Sequence, residues 1–243
     1  MSRLVGINAV RDLHSLAPHA ITRALLTADA GPAEVRLAEQ IRASGIPVAT
    51  VDAAYLAERA GSRGGAAIGA EITVARPLGL EHHTAGPTEQ RAIIALDQVT
   101  DPHNLGAILR TAAAFDVQAV IVPRHGSAAL TDAAVRASAG AAALVPIERV
   151  TNLARAIRQL EEQGFWTCAV TGKATRTLWD HDFKAMSWVF VLGAEGHGLR
   201  QGVASACQTA IRIDGGGRLA TLNVGVATAV TLAECRRQHR TTL

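Results

Sequence analysis

The sequence predicts an α/β protein in two parts, the second a mostly parallel sheet covered by helices on both faces. Three observations predict it. Short apolar runs alternate with helical patterns from residue 92 to residue 238, as crossover connections between parallel strands require. A less regular alternation fills the first 75 residues. Between them, residues 76–91 are rich in Pro, Gly and His and lose periodicity, as a linker does.

In the first part, residues 7–16 carry apolar side chains at helical spacing and residues 21–26 form an apolar run. Residues 33–43 read as a helix, Ile46-Pro47-Val48-Ala49 as a strand, 53–59 as a short helix and 66–74 as a strand. In the second part strands are predicted at 92–97, 118–123, 166–171, 188–192 and 209–213. Helices are predicted near 105–115, 129–137, 151–162, 199–206 and 222–238. Runs such as Ala92-Ile93-Ile94-Ala95-Leu96 are apolar at every position, which a strand tolerates only when both faces are buried. The expected organisation is a small α/β domain over 1–75, a linker over 76–91 and a larger domain over 92–243.

The balance of 49% apolar and 19% charged residues over 243 positions is that of a globular chain. No apolar stretch is long enough to cross a bilayer and the start lacks a signal-peptide core, so a cytoplasmic protein without membrane contact is expected. Cys168, Cys207 and Cys235 are isolated, without ligand spacing, and read as reduced, buried thiols. Net charge is only +3 but unevenly placed: residues 1–90 carry eight arginines against nine carboxylates, residues 91–243 sixteen basic against twelve acidic groups. Nearly all the cations are arginine, the residue suited to bidentate phosphate contacts.

Three strand-to-helix junctions carry polar residues where α/β sheets gather ligands. They are Asp101-Pro102-His103-Asn104-Leu105-Gly106-Ala107 with Arg110, Leu192-Gly193-Ala194-Glu195-Gly196-His197-Gly198, and Thr221-Leu222-Asn223-Val224-Gly225-Val226-Ala227. Neither a P-loop nor a G-x-G-x-x-G turn occurs, which removes support for a nucleotide hydrolase or a dinucleotide enzyme. Glycine in the second junction permits positive φ and close backbone approach, while Glu195 makes that loop unsuited to a pyrophosphate. Asn104, Glu195 and Thr221 also suit helix starts, Asn104 and Thr221 as caps. Arg110 lies in an otherwise apolar helix, so it is either paired on a buried face or turned to the outer one. His103, His125 and His197 show no metal-ligand spacing, and no G-x-S-x-G elbow marks a serine nucleophile.

In this order and spacing the three junctions resemble the three motifs of the SpoU-type branch of the SPOUT RNA methyltransferases. Val120-Ile121-Val122-Pro123 and Val150-Thr151-Asn152-Leu153-Ala154-Arg155 add to the likeness, and Gly6-Ile7 with Ala9-Val10 is similar to the start of a small N-terminal RNA-binding domain. The chain has Thr221 and Gly225 where the family has serines, Ile213-Asp214-Gly215 where it has Ile-Pro-Met, Asn8 where it has His, and Gly65-Ala66-Ala67 where it has His-Gln-Gly. The resemblance implies a sheet with a deep trefoil knot behind an L30e-like RNA-binding domain, S-adenosyl-L-methionine as cofactor, RNA as substrate and a homodimer without metal. It implies cofactor contacts at Gly193, Ile213, Leu222, Gly198 and Val122. Arg110 would act on the ribose hydroxyl, with Asn104, Asn223, Glu195 and Thr221 orienting it. The implied reaction is methylation of a guanosine 2′-hydroxyl in 23S rRNA. A tRNA substrate, or a non-catalytic RNA-binding or ribosome-assembly role with a degenerate pocket, is the alternative.

Overall fold

The computed structural model describes residues 2–60, 65–86, 91–184, 186–215, 217 and 221–240. Residues 87–90 of the expected linker and 241–243 of the expected second domain lie outside them. The chain forms two sheets. The first has β1 (Ser2–Val5), β2 (Ile21–Thr27), β3 (Val48–Val51) and β4 (Ile68–Ile72), in the order β1-β4-β2-β3. Fully buried β4 runs antiparallel to both neighbours, whereas β2 and β3 are parallel. Helices α1 (Ile7–Leu16), α2 (Pro32–Ala43) and α3 (Ala53–Ala60) connect them. Pro32 opens α2 with its φ already set for a helix, and Leu37, Ala38 and Ile41 turn one stripe inward.

The second sheet is wholly parallel in the order β10-β8-β9-β5-β6-β7. Its strands are β5 (Ala92–Asp97), β6 (Ala119–Pro123), β7 (Ile147–Val150), β8 (Trp166–Val170), β9 (Trp188–Gly193) and β10 (Thr209–Ile211). Helices α4 (Pro102–Ala114), α5 (Asp132–Ala137), α6 (Leu153–Glu162), α7 (Gln201–Ala204) and α8 (Val224–Arg240) complete it. Alternate residues serve opposite faces. Ile94, Leu96, Val120 and Phe190 pack with Leu105, Ile108 and Leu109 of α4, and Ile93, Ala95, Ile121 and Val189 with Leu153, Ile157 and Leu160 of α6.

Two strands, β1 and β7, are absent from the sequence prediction. Each has four residues and one buried side chain, Leu4 in β1 and Glu148 in β7, so neither shows an apolar alternation. One apolar cluster joins the two sheets' surroundings: Leu4 of β1 and Leu13 of α1 belong to it with Val135 of α5 and Ala141. The described part of residues 76–91 is strapped down: Leu78 N donates to Glu148 Oε1 at 2.7 Å and buried His83 Nε2 lies 3.1 Å from the same oxygen. Among the described residues, no helix is long and apolar enough to cross a membrane.

Helices α4 and α5 meet at Gly106, where an added Cβ would overlap Ala137 Cβ and the Ala134 carbonyl. Gly106→Ala is therefore expected to destabilise by about 1–3 kcal/mol, read as a lower denaturation midpoint.

The chain between β8 and β9 touches two later segments. Leu178 N donates to Arg212 O at 2.8 Å and Trp179 Nε1 to Asp214 O at 3.1 Å. Phe183 N donates to Gln238 Oε1 and Gln238 Nε2 to His181 O, so the end of α8 is held by the same stretch. His181 and His239 are buried there, and desolvation lowers both pKa values from 6.5. Below pH 6.5 the unfolded chain then binds more protons than the folded one, so stability falls with pH. A thermal-melting series from pH 8 to pH 5 is expected to show Tm falling below about pH 6.5, and His181→Phe to flatten that fall.

Candidate active site where the sheet reverses

Strand order reverses between β5 and β9: β6 and β7 lie to one side, β8 and β10 to the other. Ligands of open α/β sheets bind beyond the carboxyl ends of strands at such a point. At the end of β5, Asp97 is 0% exposed. Its carboxylate accepts from Arg200 N and Nε, both at 2.9 Å, and from Arg200 Nη2 at 2.7 Å. This pair pins the loop after β9, and the Asp97 hydrogen bond raises the Arg200 pKa. Ala194 N donates to Asp97 O and Gly198 N to Ala194 O, closing a tight turn in which Gly196 and Gly198 take φ of +84° and +68°. At Gly193 an added Cβ would overlap Gly198 and the Leu199 nitrogen. Positive φ and close approach, the two properties glycine alone supplies, are both used within six residues.

That turn holds Glu195 over two asparagines. Glu195 Oε1 accepts from Asn104 Nδ2 at 3.1 Å and from Asn223 Nδ2 at 2.6 Å, and Asn223 Nδ2 also donates to Asn104 Oδ1 at 2.9 Å. All three polar junctions thus meet through one residue each. The capping alternative for Asn104 and Thr221 does not hold. Asp101, not Asn104, caps α4, accepting from His103 N at 2.9 Å. Asn223, not Thr221, caps α8, its Oδ1 accepting from Gly225 N at 2.9 Å. Asn104 is thereby left for a long-range partner.

Beside this cluster lies a cavity of about 300 Å³ whose walls include Gly193, Gly198, Ile213, Thr221, Leu222 and Glu195. Val122 is not among them; its side chain is buried in the core on β6. Arg110 is exposed on α4 and makes no hydrogen bond or ion pair among the described residues. Of its two readings the outer-face one holds. Thr221 is exposed and makes no side-chain hydrogen bond among them either.

The sequence reading missed Asp97 and Arg200, and Thr171 and Lys173 in the cavity wall. A signal for Asp97 exists: an acid ending an otherwise apolar strand, with an arginine two residues past Gly198. The loop after β8 carries none. The three cysteines are free, and burial raises their thiol pKa values, those of Cys207 and Cys235 to about 12. Among the described residues no group of three His, Cys, Asp or Glu could hold a metal ion.

The fold is similar to that of a solved AdoMet-bound rRNA methyltransferase from Sinorhizobium meliloti, with TM-score 0.75 and 26% identity over 97% of this chain and 87% of the other. The fold is that of the RNA methyltransferases that use S-adenosylmethionine. Residues 91–233 match the family described as SpoU rRNA Methylase, and the chain belongs to that family. Among its relatives, a Shewanella oneidensis protein named 23S rRNA (guanosine-2'-O-)-methyltransferase RlmB is 37% identical over 241 residues, 98% of this chain and 97% of that one. A Pseudomonas aeruginosa protein of the same name is 46% identical over 147 residues, 60% of this chain and 59% of its own length. The cavity's residues fit the cofactor. Gly193 and Gly198, packed backbone to backbone, put main-chain polar groups in the cavity wall for an adenosyl moiety, and Ile213, Leu222 and Val224 offer apolar contact.

Proposed function

We propose that the chain transfers a methyl group from S-adenosylmethionine to the 2′-hydroxyl of a guanosine in 23S rRNA. One observation carries the reading: in a chain of this family, Asn104, Glu195 and Asn223 converge from three separate loops beside the glycine-walled cavity. Bound there, by backbone at Gly193, Gly198, Ile213 and Leu222, the cofactor supplies a sulfonium-activated methyl group. The chain's own residues position the attacking oxygen and manage its charge. A guanidinium stays protonated, so Arg110 acts by steadying negative charge on the 2′-oxygen; the hydroxyl proton would leave to solvent water, and forming the O–CH3 bond would break the sulfonium S–CH3 bond to leave a neutral thioether. Glu195 fixes the two asparagine amides; Asn104 and Thr221 then present polar groups toward the ribose. Holding the reactants aligned can itself supply several kcal/mol, up to about 7–11.

Residues 1–75 form the RNA-binding domain of L30e-like type, 76–91 the linker and 92–243 the catalytic domain. A trefoil knot involving the stretch between β8 and β9 is part of the same proposal. Its support is that this stretch holds both Arg212–Asp214, before the third junction, and Gln238, after it. The working form is a cytoplasmic homodimer, supported by the apolar Leu222 and Val226, 45% and 49% exposed beside the site.

Mapping 2′-O-methylation on total RNA with and without the protein tests the reading. Loss at one 23S rRNA guanosine is expected; loss at a tRNA position would replace the substrate. Calorimetry with S-adenosylmethionine is expected to detect binding, and its absence would favour the non-catalytic RNA-binding role.

A further inference from the structure

A second cavity, of about 700 Å³, lies on the other flank of β5, between residues 74–81, the ends of β6 and β7, and the start of α6. None of its lining residues belongs to the cofactor cavity. We propose that it takes a second nucleotide of the RNA, one flanking the nucleotide that is methylated; this rests on the chain being an RNA methyltransferase.

Position is the first support. The sheet is parallel, so Arg124 after β6 and Thr151-Asn152 after β7 lie on the same edge as the catalytic loops. Two hydrogen bonds link the sites. Ala128 N donates to Val99 O at 2.7 Å, in the loop that leads to Asn104, and Arg149 Nη2 donates to Ala128 O at 3.3 Å. Strands are spaced about 4.8 Å apart, so the end of β6 lies about 10 Å from that of β9, a distance a short single-stranded segment covers.

Chemistry is the second. Arg124, Arg149 and Arg155 all line the cavity. Arg124 commits only Nε, to Arg149 O at 3.4 Å, so its terminal nitrogens have no partner among the described residues. Arg155 is exposed, and its guanidinium likewise has no partner among them. Its backbone is set by Asn152, which caps α6 by accepting from Arg155 N at 3.0 Å. Leu78, Leu80, Leu130 and Val150 supply apolar wall. Guanidinium planes and apolar contacts are what hold an unstacked base, and guanidinium charge is what holds its phosphate.

The carboxylates do not oppose this. Glu148 is 4% exposed and committed to Leu78 N, Gly79 N and His83. Glu81 is the one exposed carboxylate of the wall, its side chain 67% exposed, and three arginines outnumber it there. Lining a cavity between two parts of a chain is also where small ligand groups are commonly bound. The motif Val150-Thr151-Asn152-Leu153-Ala154-Arg155 thereby gains a function: it caps a helix and aims an arginine into the cavity.

The test is the full-length double variant Arg124→Gln/Arg155→Gln, with a 23S rRNA transcript as substrate. KM for RNA is expected to rise about tenfold, and the slope of log affinity against log salt to flatten by about 1.4, the value for two lost phosphate contacts on a single strand. The kcat at saturating RNA, the S-adenosylmethionine affinity and Tm should not change, since both side chains are exposed and neither lines the cofactor cavity. The double lysine variant should restore part of the affinity by charge alone. An unchanged KM and salt slope in the glutamine variant, with an active wild type, overturns the inference and leaves the methyltransferase reading standing. A wild type that methylates no RNA overturns both.

Discussion

Arg110→Ala is expected to slow methyl transfer about 10²–10³-fold, the effect of removing one donor that stabilises a developing oxyanion. The expectation separates cleanly from stability. Arg110 is exposed on α4 and makes no hydrogen bond or ion pair among the described residues, so truncating it opens no cavity and orphans no partner. Surface changes of that kind stay within about 0.5 kcal/mol. Single-turnover transfer of labelled methyl to a 23S rRNA transcript should therefore fall while Tm and S-adenosylmethionine affinity hold. Arg110→Lys keeps charge without the planar fork and should recover only part of the rate. Full activity in the alanine variant would remove Arg110 from the chemistry.

Gly193→Ala is expected to weaken S-adenosylmethionine binding at least tenfold, about 1.4 kcal/mol. Its new Cβ would overlap backbone of Gly198 and Leu199, and backbone cannot rotate aside as a side chain can. The turn that carries Glu195 must then move as a whole, because the Asp97–Arg200 pair anchors its far end. Gly202→Ala, whose Cβ would meet nothing within 4 Å, is the control. Calorimetry on the two variants decides the matter: equal affinities would mean that the Gly193 cradle is not part of the cofactor site.

What the sequence made legible follows from how each element is stabilised. The strands at the sheet centre were readable because both faces of β5, β6 and β9 are apolar. Edge strand β7 was not, because its one buried residue is Glu148, and a carboxylate that serves the strap looks like a surface residue. Cap and site cannot be told apart locally: Asp101 and Asn104 both suit a helix start, and only the 91-residue reach to Glu195 separates them. The ambiguity over Arg110 was resolvable from spacing. Leu105, Ile108, Leu109 and Ala112 define the buried stripe, and position 110 falls outside it. The buried pair of Asp97 with Arg200 spans 103 residues, and no local pattern reports such a contact.

The hydrogen bond from Asn223 Nδ2 to Asn104 Oδ1 also orders events in time. It joins residues 119 apart in sequence, the longest reach in the cluster. Strands β5, β6 and β7 can pair before that contact forms, since neighbours in that half of the sheet follow one another along the chain. A refolding chain should recover its helical signal first and cofactor binding last, when α8 has docked. Methyl-donor binding would thus report completed folding, because the cavity takes Leu222, Val224 and Ala227 from the last segment to dock.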